Sequence, residues 1–201
     1  MTSYSARVGR PKASSREILA EAACELFLER GFEATSIGAV ASRAGVSRSS
    51  FFNYFSSKSD ILWAGFDEAL LVLETSLKDQ SEMDAARQVR CAVGTLGADF
   101  VPDSLALAIL NSAAMELTDE LARESALRSA RIARAVSDRF IAGGADRLTA
   151  NIAGAAWGGA VLAAIDAWAR DGAGRGDLTV FMTLAADTAS SISLDGGHER
   201  R

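Results

Sequence analysis

Apolar side chains recur at three- and four-residue spacing along nearly the whole chain, and only 2 prolines interrupt its 201 residues. That spacing gathers apolar groups on one face of an α-helix, whereas a half-buried strand would alternate them. No alternating stretch of useful length and no internal repeat occurs, so the expected fold class is all-α. Apolar residues make up 49% and charged residues 23%, which suits a packed core and is too apolar for a disordered chain.

Capping residues and glycines divide the pattern into about nine helices. Residues 1–13 read as a basic, non-helical arm. Ser14 or Ser15 can cap a first helix over about 16–30, and Gly31 is placed to end it in the left-handed conformation. Thr35 or Ser36 can cap a second helix near 37–44. Gly45 makes a turn, and Ser47 caps a third helix near 48–54. A fourth helix is expected at about 58–80, with others near 83–100, 103–116, 119–142, 146–170 and 177–192. The expected breaks are Pro102, Gly143-Gly144 and the Gly-rich run 171–176. The domains then read as an arm (1–13), a three-helix unit (14–58), a larger helical region (59–193) and a tail (194–201).

Several function classes have little to work with. The single histidine, His198, lies in the tail, so neither a catalytic triad nor a histidine-based metal site is expected. Cys24 and Cys91 form no C-x-x-C pair, and Cys24 falls on an apolar helix face. No phosphate-binding glycine loop is present. No catalytic residue, metal or cofactor is therefore expected, and an enzyme is disfavoured. The N-terminus is charged with no apolar run behind it, unlike a secretion signal. The longest uncharged stretch, 149–165, is shorter than the ~20 residues of a membrane span. A cytoplasmic protein without a membrane partner is expected.

Charge is distributed unevenly. The formal net charge is −5, yet residues 1–60 hold 8 basic and 6 acidic side chains, leaving 13 and 20 for the rest. No carboxylate occurs between Glu33 and Asp60. Inside that acid-free window the chain reads TSIGAVASRAGVSRSSFFNYFSSK. Small Ala41 and Ala44 let two short helices approach, and Gly45 permits the sharp turn. Ile37, Val40, Val46, Phe51 and Phe55 can form a buried seam. Arg48, Ser49, Ser50, Asn53 and Tyr54 then share an outer surface, as in a helix-turn-helix whose second helix enters the major groove. A helix N-terminus, serines and a lysine suit phosphates, while Arg and Asn can read base edges. An ordinary helical hairpin with a solvated polar face fits the same pattern; a helical adaptor that binds only protein would explain the acidic remainder of the chain but not this acid-free segment.

The segments ILAEAACELFLERGFEATSI and VASRAGVSRSSFFNYFSSKSDIL resemble the DNA-binding domain of TetR-type bacterial transcription regulators, over about a quarter of the chain. The resemblance implies a ligand-responsive regulator, a repressor in the usual case, that binds a palindromic operator on double-stranded DNA as a homodimer. It implies that 47–54 is the recognition helix, that Lys58 holds a phosphate, and that Thr35 and Ser36 anchor the second helix on the DNA backbone. The implied DNA-binding set is Thr35, Ser36, Arg43, Ser47, Arg48, Ser49, Ser50, Asn53, Tyr54 and Lys58. Two positions depart from the family: Ser49 stands where a smaller residue is usual, and Phe52 where a tyrosine is usual. Tyr54 is a substitute for the missing phenol. The arm from Arg7 to Lys12 is either a minor-groove contact or a solubilising tail.

The resemblance further implies that the last two long helices pair with their symmetry mates as a four-helix bundle. Gly154, Gly158 and Gly159 support close packing there, because each glycine inside a helix costs ~1 kcal/mol relative to alanine. A mostly apolar effector site is expected between helices, lined by Trp63, Phe66, Leu70, Cys91, Leu110, Met115, Trp157 and Val161. For any single one of these side chains, plain core packing is the favoured alternative. The string WAGFD (63–67) resembles actinobacterial regulators that sense fatty acyl-CoA, which implies a small apolar or amphipathic effector of that kind.

Overall fold

The computed structural model describes residues 15–79, 82–97, 104–172 and 175–194, with side chains described up to residue 191. The expected arm, Pro102 and the C-terminal tail lie outside these residues. Among the described residues there are nine helices and no strand.

The first helix, α1 (Ser15–Arg30), buries Leu19, Ala22, Ala23, Leu26 and Phe27 along one face. Gly31 ends it at φ 82°, its N–H bonded to the Phe27 carbonyl at 2.9 Å. The next helix, α2 (Ile37–Arg43), starts where the Ser36 hydroxyl accepts from the Ala39 N–H. Gly45 turns at φ 70° with open space where a Cβ would stand, so backbone conformation rather than crowding selects glycine there. The short α3 (Arg48–Phe52) is capped by the Ser47 hydroxyl, and Phe51 is fully buried. At α4 (Lys58–Lys78) the Ser57 hydroxyl accepts from the Asp60 N–H while the Asp60 carboxylate accepts from Ser56 and Ser57. This reciprocal arrangement satisfies donors that a helix start otherwise leaves unpaired.

The remaining helices are α5 (Ala85–Thr95), α6 (Ser104–Leu110), α7 (Thr118–Ala142), α8 (Arg147–Arg170) and α9 (Leu178–Leu194). The first of these is shorter than the 83–100 expected. The chain beyond α6 continues as hydrogen-bonded turns to Glu116, whose φ of 55° marks the end. The Leu117 N–H reaches back to the Ser112 carbonyl at 2.8 Å, a Schellman-type closure with glutamate in the position that usually favours glycine.

The longest helices, α7 and α8, pack closely because Gly154 and Gly158 carry no side chain. A Cβ on Gly158 would lie 2.5 Å from the Ser129 carbonyl, and one on Gly154 would collide with the Ala133 carbonyl. Ser137 adds a bond to the Ala150 carbonyl at 3.0 Å. These two glycines therefore serve packing within one chain, not the expected packing between subunits. Gly159, on the other side of α8, faces open space. The same helix is long and apolar enough to cross a membrane, contrary to expectation from the uncharged stretch alone, but 44% of its most apolar window is buried inside the protein.

A charged connection joins α4 to α7. Arg128 is only 6% exposed. It pairs with Asp67 and Glu124 and stacks its guanidinium 4.3 Å from the centre of the Trp63 ring. Arg131 bonds Asp67 at 2.9 Å and Glu74 at 3.0 Å. Two carboxylates and an aromatic face take the place of water around this buried arginine.

Candidate nucleic-acid interface

Helices α1, α2 and α3 form a compact unit whose centre is Leu19, Phe27, Val40, Phe51 and Phe55. The ring centres of Phe51 and Phe55 are 5.7 Å apart, and those of Phe27 and Phe32 are 5.1 Å apart. Phe51 is turned inward, whereas Arg48, Ser49 and Phe52 of α3, its C-cap Asn53 and the following Tyr54 are all exposed; the helix ends at Phe52, short of the 48–54 expected. Ser50 is half-buried. The expected outer face of α3 is thus present. Phe52, half exposed at 50%, belongs to it as well, which its apolar character did not suggest.

Ser47 has a local task. Its hydroxyl accepts from the Ser50 N–H at 3.1 Å and lies 2.8 Å from the hydroxyls of both Ser49 and Ser50. Three hydroxyls therefore meet at the N-terminus of α3, where the partial positive charge of the helix end and the following N–H groups suit an anion. Ser36 is exposed at the start of α2 with its hydroxyl in the cap.

Three members of the expected set are differently engaged. Thr35 is only 2% exposed, and its hydroxyl donates to the Gly31 carbonyl at 2.8 Å and the Leu26 carbonyl at 3.2 Å. It closes the C-terminal end of α1 instead of facing a phosphate. Arg43 is held by two acids of α1, with Glu25 at 3.0 Å and Glu29 at 2.8 Å. The hydrogen bond from Arg43 pulls the Glu29 carboxyl below its usual range, and bonds from Glu29 and Glu25 push the guanidinium upward. This residue clamps α2 to α1. Sequence reasoning missed the clamp, although Glu25 and Glu29 stand four residues apart on one helical face. Lys58 donates to the Phe32 carbonyl at 2.7 Å and sits 4.2 Å over the Phe32 ring, leaving two further N–H donors on the ammonium.

Most of the expected effector set is packed in the core of the described residues. Trp63, Phe66, Leu70, Met115, Trp157 and Val161 are each at most 1% exposed and belong to the continuous core. Cys91 is exposed, and Leu110 is 45% exposed. Both therefore correct the expectation: helical spacing shows that residues share a face, not whether that face meets protein, ligand or water. Among this set, Trp63 lines a cleft of about 190 Å³ between α6, α7 and α8.

Residues 19–64 match the family described as bacterial regulatory proteins, tetR family. A curated relative, the putative mycofactocin biosynthesis transcriptional regulator MftR of Mycobacterium tuberculosis, is 32% identical over 90 residues. That match covers 45% of this chain and 44% of the relative, so it spans less than half of either protein. The fold is similar to that of Thermus thermophilus FadR, a TetR-family repressor crystallised with lauroyl-CoA, at TM-score 0.53 and 21% identity, covering 92% of this chain and 96% of that one. It is also similar to Mycobacterium smegmatis AmtR at TM-score 0.52 and 23% identity, covering 96% and 90%. The match to the tetR family model is thus confined to residues 19–64, while the similarity of fold extends over most of the chain.

Proposed function

We propose that the protein is a dimeric, effector-responsive DNA-binding repressor, working in the cytoplasm. The observation that carries the DNA-binding part is the outward face of α3. Arg48 on α3, and Asn53 and Tyr54 just past its end, are exposed beside an N-terminus that holds three hydroxyls, in a segment without any carboxylate from residue 34 to 59. Arg48 and Asn53 carry the paired donors and acceptors that read bases, and Ser47, Ser49, Ser50, Tyr54 and Lys58 suit the phosphates beside them. Ser36 contributes at the start of α2.

One α3 spans only a few base pairs, so useful specificity needs a second copy about one helical turn of DNA away, ~34 Å. An unpartnered apolar stripe offers the means. On α8, Leu148 is 70% and Ile152 is 56% exposed, with Ala155 and Gly159 continuing the line; on α9, Val180 and Leu184 are each 66% exposed. Two such pairs of helices placed face to face make a four-helix interface.

The effector is proposed to be a small apolar or amphipathic molecule that fits one arrangement of α4 better than another, since only such differential affinity can shift DNA binding. The lauroyl-CoA held by Thermus thermophilus FadR makes acyl-CoA thioesters a first class to screen.

The deciding experiment is a fluorescence-anisotropy titration of DNA from the protein's own promoter region at several salt concentrations. Wild-type protein is expected to bind with a steep salt slope. Arg48→Ala together with Asn53→Ala is expected to lose at least tenfold at the specific site while keeping its fold. Unchanged affinity in that double variant would reject α3 as the reading element. Sedimentation that finds a monomer at micromolar concentration would reject the α8–α9 interface.

A further inference from the structure

We infer that the cleft between α6, α7 and α8 is a binding site for an uncharged, single-ring-sized amphipathic molecule that presents a hydrogen-bond acceptor to the indole N–H of Trp63. The inference deepens the proposed effector response and rests on it for the biological role of the ligand.

The cleft holds about 190 Å³. A cavity of about 150 Å³ accommodates benzene, so this space suits one ring with a small substituent and is too small to hold a long chain. Its walls are mainly apolar, with Trp63, Ile109, Leu121, Leu162 and Ile165 among them. The mouth carries the Asp166–Arg170 ion pair, whose charges cancel at 2.8 Å.

Trp63 supplies the second, independent observation. The residue is 1% exposed, and its Nε1 is buried without any hydrogen-bond partner. A buried donor left unpaired costs free energy, so a site that provides an acceptor gains more than the new bond alone. Trp157 carries the other such indole N–H among the described residues, within the buried face of α8. Of the two, Trp63 is the one that lines this cleft.

Charge decides between an acid and its neutral relatives. Arg128 lies over the Trp63 ring and shares Asp67 with Arg131, the two arginines being matched against Asp67, Glu124 and Glu74. Two cations face three carboxylates, so the group is net negative and its arginines are already engaged. A ligand carboxylate would be desolvated beside that surplus with no free cation in the group, whereas an ester, ketone or amide oxygen brings an acceptor without the charge.

The test titrates the full chain, without DNA, with methyl benzoate, butylbenzene and benzoate, read by calorimetry and by tryptophan emission. Methyl benzoate is expected to bind more tightly than butylbenzene, which lacks the acceptor, and at least tenfold more tightly than benzoate. Trp63→Phe removes the donor and should weaken methyl benzoate about fivefold while leaving butylbenzene unchanged. Ala122→Leu, at an exposed cleft-lining position of α7, should abolish binding of both with thermal unfolding preserved, which keeps the test valid if Trp63→Phe fails to fold. No methyl benzoate binding up to millimolar concentration would overturn the inference. Equal loss of both ligands in a folded Trp63→Phe protein would overturn it too, as would lauroyl-CoA binding that neither methyl benzoate nor Ala122→Leu disturbs. Operator binding is measured separately: operator affinity without ester binding removes only the cleft, and ester binding without operator affinity removes only the regulator.

Discussion

The backbone N–H of Phe32 donates to the carbonyl of Met115 at 2.8 Å, so the turn after α1 is bonded to the turn before α7. The other side of Phe32 is also occupied, because its carbonyl accepts from the Lys58 ammonium at 2.7 Å. Ser59, one residue further along α4, donates to Glu120 at the start of α7. The α1–α3 unit is thus joined to the larger helical region both through α4 and directly through the 112–117 turn, whose ends border the α6–α7–α8 cleft.

The contact between these turns predicts a cost at Gly31. Its φ of 82° disfavours any L side chain, and a Cβ there would collide with the Glu116 carboxylate. Gly31→Ala is expected to destabilise by at least about 1–2 kcal/mol, a loss of several degrees in Tm. Thermal unfolding followed by circular dichroism checks it, and an unchanged Tm would show that the turns separate freely.

Arg43 and Arg48 should separate stability from recognition. Arg43 is held by Glu25 and Glu29, whereas Arg48 stands exposed on α3. Exposed ion pairs contribute little individually, so Arg43→Ala is expected to lower Tm only slightly and to weaken DNA binding modestly. Arg48→Ala should leave Tm unchanged and weaken operator binding by a larger factor. Parallel Tm and anisotropy measurements decide; a reversed order would make Arg43 the base- or phosphate-reading arginine.

Arg128 is the charge whose loss should matter most. Its removal leaves Asp67 and Glu124 without their shared cation, although both carboxylates retain some water contact, at 31% and 20% exposure. Breaking a buried pair costs about 3–5 kcal/mol, and that residual exposure lowers the expectation for Arg128→Met to about 2–3 kcal/mol. Lysine at 128 should rescue only part, because it cannot form two planar bonds while covering the Trp63 ring. Urea unfolding of both variants measures the difference.

Two glycines of similar helical context should respond oppositely to alanine. Gly158 faces the Ser129 carbonyl, whereas Gly94 in α5 has nothing within 4 Å of its would-be Cβ. Gly94→Ala is expected to stabilise by about 0.5–1 kcal/mol through helix propensity. Gly158→Ala should destabilise by about 1–3 kcal/mol, because α7 and α8 must move apart. Equal effects at the two sites would rule out the close α7–α8 approach.

Acid should loosen the entry to α4. Burial pushes the Asp60 carboxyl upward, but hydrogen bonds from Ser56 and Ser57 outweigh it and hold the group below its ordinary 3.8. The folded value is the lower one, so the stabilisation is complete above about pH 3.8 and is lost as pH falls through the folded value. The urea midpoint should therefore drop from pH 5 to pH 3. Asp60→Asn should be less stable at pH 5 and show a smaller drop, and an equal drop would mean that other carboxylates govern this acid response.

Helix starts and stops were readable from residue types, because a cap is a local matter. Ser36 and Ser47 end up as N-caps, and Gly31 and Gly45 adopt positive φ, as their chemistry requires. The exposure of Arg48, Ser49, Asn53 and Tyr54 was readable too, since polar side chains around a buried Phe51 are left to the solvent. The roles of Thr35, Arg43, Cys91 and Leu110 were not, because each depends on what another helix brings alongside. Thr35 finds two carbonyls of the first helix, Arg43 finds two carboxylates, and Cys91 and Leu110 find solvent.

By itself, the sequence determined an all-helical chain with an acid-free helix-turn-helix near its N-terminus, because helical periodicity, capping and turn chemistry act over only a few residues. Tertiary structure decided which apolar faces became core, that Gly154 and Gly158 join α7 to α8, and that Phe32 bonds Met115. The physical reason is range: a repeat of 3.6 residues fixes which side chains share a face, but only packing between distant segments fixes what that face meets.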